Sequence, residues 1–310
     1  MSTLPLVVVG ESLVDIVKPT TGESTEAVGG SPMNVAVGLA RLDVPALLIT
    51  RVGDDEHGRW ITEHVEASGA RLSETSVVAG TATSTATAHL DETNTASYEF
   101  ELVWDLEHHT LPDAVALHVG SLGASLLPGR HAVVDLVRQA DERDMFVSYD
   151  PNIRPAFVTD PAQTWRDVTE IAALSRLVKI SDEDLEVMRP GEPVAALAGE
   201  LLAGAETELV IVTRGPAGSV AFTEGFTVEV PAPKVEVVDT VGAGDSFMAA
   251  TLTVLADWDL TRDGAGALAA LDEDRVRVLL KGAMTAAAVT CSRRGANPPS
   301  RRELPATWPA

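Results

Sequence analysis

Short runs of apolar and β-branched residues recur along the chain at Leu6–Val9, Ala46–Thr50, Ala116–Gly120, Met145–Tyr149, Leu177–Ile180, Leu209–Thr213 and Val220–Thr223. Between most of them the apolar positions recur at helical spacing, near 33–42, 56–68, 130–142, 162–174, 193–203, 245–256 and 275–291. Runs of this kind suit strands buried on both faces. Their alternation with helices predicts an α/β fold, a Rossmann-like, largely parallel sheet with helices on either side. Ligands of such sheets bind beyond the carboxyl ends of the strands. Gly10, Asp150, Ser181 and Thr213 fall at or just past one of the runs, and Gly242 stands just before the helix-period segment near 245–256.

One stretch departs from this pattern. Residues 83–103 alternate small and larger side chains, with Asp91–Asn94 in the middle, and predict a hairpin. The hairpin has too few large apolar residues to fill a core. It is expected to lie over the main domain as a flap or to pair with another subunit; a surface insertion without function fits the pattern equally well.

Composition narrows the class. With 310 residues, the chain is long enough for one large α/β domain or two small ones, with an ample core. The longest strongly apolar stretches, near 247–256 and 282–291, are shorter than the roughly 18 residues of a membrane span. The N-terminus carries no basic stretch and no small-residue cleavage site, so no signal peptide is expected. Cys291 is the sole cysteine, which excludes an intrachain disulfide and a cysteine-cluster metal site and fits a cytoplasmic location. The formal charge of −23 makes nucleic acid and anionic membrane poor partners. A phosphate-bearing ligand would need a local site of basic groups or backbone donors. Trp60, Trp104 and Trp165 read as packing residues, and the prolines after Pro298 mark an extended C-terminal tail.

The most informative run is Asp239-Thr-Val-Gly-Ala-Gly-Asp-Ser-Phe-Met248. Gly242, Ala243 and Gly244 lead into an apolar helix, whose free N–H groups and positive dipole end favour an anion. Asp245 puts a carboxylate beside that anion, a costly arrangement unless the carboxylate takes a proton from an attacking hydroxyl. A glycine turn with Asp245 as a helix cap fits the same residues.

Other segments carry paired readings too. Gly29-Gly30-Ser31-Pro32-Met33-Asn34 opens an apolar helix; Asn34 can serve a hydroxyl as donor and acceptor, or the segment is simply a turn and a helix start. Asp15 can accept polyol hydroxyls or be an ordinary loop acid. Arg154, in Asp150-Pro-Asn-Ile-Arg-Pro155, is a candidate clamp or a surface arginine. The acids of Lys179-Ile-Ser-Asp-Glu-Asp184 could orient hydrated Mg²⁺, or they could cap a helix. Thr213 and Gly215 could meet phosphates or form a plain turn. No Walker loop, nucleophile elbow or His-Glu-x-x-His is present.

In their order along the chain, these segments resemble the ribokinase-like (PfkB) carbohydrate kinase family. Asp239–Phe247 matches its C-terminal signature, and Gly29–Ala36 with Val52–Gly58 matches its N-terminal one. Asp150–Pro155 and Ser292-Arg-Arg-Gly-Ala296 are most similar to the bacterial fructokinase branch. The resemblance implies an ATP-dependent sugar kinase acting on a primary hydroxyl of a furanose-like sugar, with fructose leading and ribose, 2-keto-3-deoxygluconate or a nucleoside as alternatives. A sensor without catalysis is a further reading, disfavoured by the intact Asp245.

By the same resemblance Asp245 is the base, and Gly242, Ala243 and Gly244 are the anion hole. Asp15, Gly29, Gly30, Asn34, Phe100 or Tyr98, and Arg154 hold the sugar. Lys179, Ser181, Thr213, Gly215, Gly218, Gly295 and Ala296 attend the nucleotide. Asp184 serves Mg²⁺, and Asp239 serves an activating K⁺. Insertions near 11–28 and 83–104 form a small β-sheet lid on a single domain and pair two copies as a homodimer. Two departures stand out: Asp184 replaces the family glutamate, and Pro299 stands where some relatives carry serine.

Overall fold

A computed structural model describes residues 4–91, 96–262 and 265–309. Its strands are β1 (Leu6–Val9), β2 (Leu13–Lys18), β3 (Thr25–Gly29), β4 (Ala46–Ile49), β5 (Val52–Gly53), β6 (Arg71–Leu72), β7 (Val77–Val78), β8 (Thr85–Leu90), β9 (Ala96–Glu101), β10 (Ala116–Gly120), β11 (Phe146–Asp150), β12 (Leu177–Ser181), β13 (Leu209–Thr213), β14 (Ser219–Phe222) and β15 (Thr227–Val230). The helices are α1 (Ser31–Arg41), α2 (Glu56–Ala67), α3 (Arg130–Asp141), α4 (Pro161–Ala172), α5 (Asp182–Met188), α6 (Val194–Leu202), α7 (Ala243–Asp257) and α8 (Glu273–Cys291).

A nine-stranded sheet in the order β15-β14-β13-β12-β11-β10-β1-β4-β6 forms the centre. It is parallel from β6 to β13, and β14 and β15 run antiparallel at its edge. Successive side chains of a strand point to opposite faces. Thus Leu6 and Val8 of β1 join one core with α1, α2, α7 and α8, while Val7 and Val9 join another with α3, α4 and α6. After β1 the chain builds β4 and β6 on one side, then returns to place β10 on the other. The segments leaving β1 and β10 diverge there, and such a reversal of strand order opens a crevice at the carboxyl ends.

A second sheet, in the order β3-β2-β8-β9, stands apart from the first. Its register puts Asp15 beside Ala86, and Ala86 beside Phe100, so these three share one face. Val14, on the other face of β2, is buried in the core that contains Ile61 and Val65 of α2. The expected hairpin is present as β8 and β9; its tip, Glu92–Thr95, lies outside the described residues.

The predicted helices match within two residues at each end, but several short elements were not anticipated. β15 alternates exposed and buried residues in a run of only four, and β3 is exposed over most of its length. Of the three tryptophans expected to pack, Trp104 and Trp165 are buried, whereas Trp60 is 36% exposed on the outer face of α2. Among the described residues no helix is long and apolar enough to cross a membrane.

Candidate active site

The site begins with two helices that approach unusually closely. At Gly38 of α1 a Cβ would lie 2.7 Å from the Ala249 methyl of α7, so only glycine admits this approach. One turn earlier on each helix stand Asn34 and Asp245, brought together by the same contact. Asn34 Nδ2 donates to Asp245 Oδ2 at 2.8 Å, and Ser31 Oγ donates to Asp245 Oδ1 at 2.6 Å. Each carboxylate oxygen therefore has a side-chain donor, and Asp245 is only 7% exposed.

Asp245 is the third residue of α7, which starts without a side-chain cap. The cap position is Gly242 at φ 75°, a left-handed conformation costly for other residues. A Cβ there would also strike Ala296 at 2.7 Å. Ala243 donates its amide to the Thr240 carbonyl at 3.2 Å, and no side chain caps the turn beside Asp245.

Beneath that turn lies a buried charge cluster. Lys179 Nζ donates to Asp150 Oδ2 at 2.8 Å, with both side chains at most 5% exposed. Parallel pairing of β11 and β12 brings these strand-end residues together. The ammonium also reaches the turn above, 3.1 Å from where a Gly244 Cβ would stand. Burial opposes the charge on Lys179, but Asp150, Asp184 and Asp245 outweigh it and raise the amine above its ordinary pKa. Burial pushes Asp150 up to about 6, against the pull of Lys179 and with a further push from Asp184 and Asp245. Asp150 Oδ1 remains buried without a hydrogen-bond partner.

Asp184 and Ser181 are occupied differently. Ser181 Oγ accepts from the Asp184 amide, and Asp184 Oδ2 accepts from the Ser181 amide, a reciprocal capping box that starts α5. The other oxygen, Oδ1, accepts from the Ile153 amide at 2.8 Å. Among the described residues no group of three or more His, Cys, Asp or Glu side chains is placed to hold a metal ion.

On the opposite side of Asp245, Gly29 and Gly30 join β3 to α1, and Asp15 Oδ2 lies where a Gly29 Cβ would be. Asp15 is open to solvent, yet the surrounding protein raises its carboxyl pKa, opposed by the charge of Arg154. Arg154 is exposed and donates to Asn152 Oδ1 at 2.8 Å. Phe100 packs edge-on against Phe157, with ring centres 4.9 Å apart, while Tyr98 stacks on Phe100 and stays 65% exposed. Phe100, not Tyr98, is therefore the ring seated against the body of the protein. Phe157 and Arg154 line a cavity of about 210 Å³ with Pro151 and Leu122. A larger cavity, about 930 Å³, lies beside β4 and β6 and shares no lining residue with the Asp245 cluster.

Of the remaining expected residues, Asp239, Gly295 and Ala296 are tied to the glycine turn. Asp239 accepts from the amides of Val241 and Gly295, at 3.1 and 2.8 Å, which tie the 239–242 and 293–296 segments and hold its carboxyl below the usual range. Ala296 packs on Gly242. Thr213 ends β13, and Gly215 is exposed in the following turn. Gly218 has a packing reason of its own: a Cβ would lie 2.1 Å from the Val230 carbonyl oxygen. In the Val52–Gly58 motif, Asp55 caps α2 and accepts from the amide and hydroxyl of Thr83 at the entry to β8.

Three neighbours were missed from the sequence. Ser31 was detectable, since it stands one turn before Asn34 on one helix face. Asp150 as the partner of Lys179 required the strand order. Phe157, in a turn after β11, left no periodic signal.

A doubly wound α/β domain with a carboxylate at an open, glycine-rich helix start and a polar sheet beside it defines a phosphotransferase architecture of the ribokinase type. The chain matches the pfkB family carbohydrate kinase profile over residues 4–302 and belongs to that family. It is 34% identical to a fructokinase from Klebsiella pneumoniae over 90% of this chain and 94% of the relative. It is also 31% identical to a probable chloroplastic fructokinase-6 from Arabidopsis thaliana, over 93% and 78% of the two chains. Its fold superposes on a Vibrio cholerae fructokinase bound to fructose, ADP and potassium ion with a TM-score of 0.79 at 24% identity, covering 95% of this chain and 94% of that one.

Proposed function

We propose that the protein is an ATP-dependent fructokinase that converts D-fructose to fructose 6-phosphate. The observation carrying this reading is Asp245, held by Ser31 and Asn34 at the open N-terminus of α7. Its carboxylate takes the proton of the sugar's primary hydroxyl as that oxygen attacks the γ-phosphorus of ATP. The bond to the β,γ-bridging oxygen breaks and ADP leaves. The Gly242–Gly244 amides and the Lys179 ammonium face the charge on the transferring group. Similarity to the Klebsiella fructokinase, together with Arg154 in the Asp150–Pro155 segment, supports fructose as acceptor.

Asp15, Gly29, Gly30, Asn34, Phe100 and Arg154 form the sugar side of the site in this reading. Thr213, Gly215, Gly295 and Ala296 form the nucleotide side. The small sheet is a lid whose Asp15–Ala86–Phe100 face closes over the sugar and limits ATP hydrolysis. Mg²⁺, when bound with ATP, supplies charge neutralisation to the phosphates. Because both Asp184 oxygens already accept backbone amides, Asp184 serves the ion through ordered water. K⁺ belongs near the Asp239–Gly295 link. A cytoplasmic homodimer joined through the lid completes the proposal; Tyr98 and Val17 leave apolar surface on that sheet. A coupled ADP-release assay over sugars and nucleosides, with and without K⁺, tests it. Turnover of a nucleoside and not of fructose would overturn the acceptor assignment.

A further inference from the structure

Glu11 is a buried acid that the proposed chemistry leaves unused. It follows Gly10 at the exit of β1 and is 6% exposed. Its Oε2 accepts from the Gly123 amide at 2.8 Å, which fastens the exit of β1 to the turn after β10, the two edges of the crevice. Its carbonyl oxygen lies 2.5 Å from where a Gly30 Cβ would be, against the entry to α1. Gly123 in turn accepts from Trp104 Nε1 through its carbonyl at 2.9 Å, where the chain leaves β9. Glu11 thus stands where the small sheet, the Ser31–Asn34 helix and the β10 turn converge. The charged group that acts on it electrostatically is Arg154, on the segment after β11.

We propose that Glu11 is a positioning residue for the sugar. Its carboxylate ties β1 to the 121–124 turn and supplies the negative charge that draws Arg154 toward the Asp15 side of the crevice. Asp15 alone, open to water, is a screened counter-ion, whereas a buried carboxylate acts at lower dielectric. This inference rests on the sugar-kinase reading.

Glu11 titrates in the working range. Burial pushes it up to about 7, against the lowering effects of the Gly123 amide, the Ser121 side chain, its own backbone amide and, least, Arg154. As pH falls through 7 the charge behind Arg154 is lost, so the KM for sugar should rise toward pH 6 while the KM for ATP stays level. The sign for stability is the reverse. The folded-state value exceeds the ordinary 4.5, so the stabilisation from Glu11 is complete below pH 4.5 and is lost as pH rises through 7.

Glu11→Gln keeps an acceptor for the Gly123 amide and removes the charge; Glu11→Asp keeps the charge on a shorter stem. The Gln variant is expected to raise the fructose KM about tenfold at pH 8, in line with one charge-assisted contact, and to flatten its dependence between pH 6 and 8. The Asp variant should restore part of the pH dependence. Urea unfolding should show the Gln variant gaining on the parent protein as pH rises from 5 to 8. A Gln variant that folds yet keeps the parental KM profile overturns the role of Glu11 and leaves the kinase reading standing. A parent protein that turns over another polyol overturns fructose alone, and the same profile is then read on that polyol. A parent protein with no sugar-dependent ADP release overturns both.

Discussion

Helices α5 and α7 each carry an aspartate at the third position of the first turn, and the two residues have opposite fates. Asp184 folds back on its own helix, accepts the Ser181 and Ile153 amides, and is spent on holding the backbone. Asp245 sits on a helix capped by glycine, so no local group claims it, and its oxygens are met by side chains of another helix. Ser181 closes the first site and Gly242 leaves the second open. An acid in a first helical turn is thus structural when the cap residue can reciprocate, and available for chemistry when the cap has no side chain.

Substitutions can break this contrast. Asp245→Asn should lower kcat by roughly 10²–10⁴-fold, the usual span for loss of a general base, with nucleotide binding retained by calorimetry. A wild-type rate in that variant would sink the assignment of Asp245. Gly242→Ala forces a side chain into the left-handed region and against Ala296. It should cost about 2 kcal/mol or more in urea unfolding, and kcat should fall with it. Asp184→Ala removes a cap and should cost about 1–2 kcal/mol of stability with less than a tenfold change in kcat. A kcat loss as deep as that of the Asp245 variant, with unchanged stability, would place Asp184 in the chemistry. The smallest effect belongs to Ser31→Ala, which removes one of two donors to Asp245. A loss of about tenfold or less in kcat is expected, with the urea midpoint nearly unmoved.

The buried central strands and the longer helices were legible because their apolar runs and periodicity report burial directly. β5, β6 and β7 were not, being two residues long, nor were β3 and β15, whose exposed positions break the apolar run. The glycine turn, Asp245 and Asn34 could be named from composition and spacing, since open backbone and a helix start are local properties. What Asp184 and Gly218 do depends on partners distant in sequence. The Ile153 amide and the Val230 carbonyl become neighbours only through sheet order, so these packing contacts could not be read from the local sequence. Glu11 escaped notice for a similar reason, as its burial is set by the turn after β10.

The small sheet is stitched from two excursions far apart in the chain, with β2 and β8 lying parallel from Val14 and Thr85 onward. That pairing closes a long loop before any contact rewards it, and only an assembled central sheet brings the two ends within reach. The small sheet therefore belongs to the last stage of folding and to the first stage of local unfolding. Amide protons of β2 and β8 should exchange faster than those of β1 and β10, and equal protection would refute this order. In the proposed lid role, the element that opens at each exchange of substrate is the one whose topology makes it the least costly to detach.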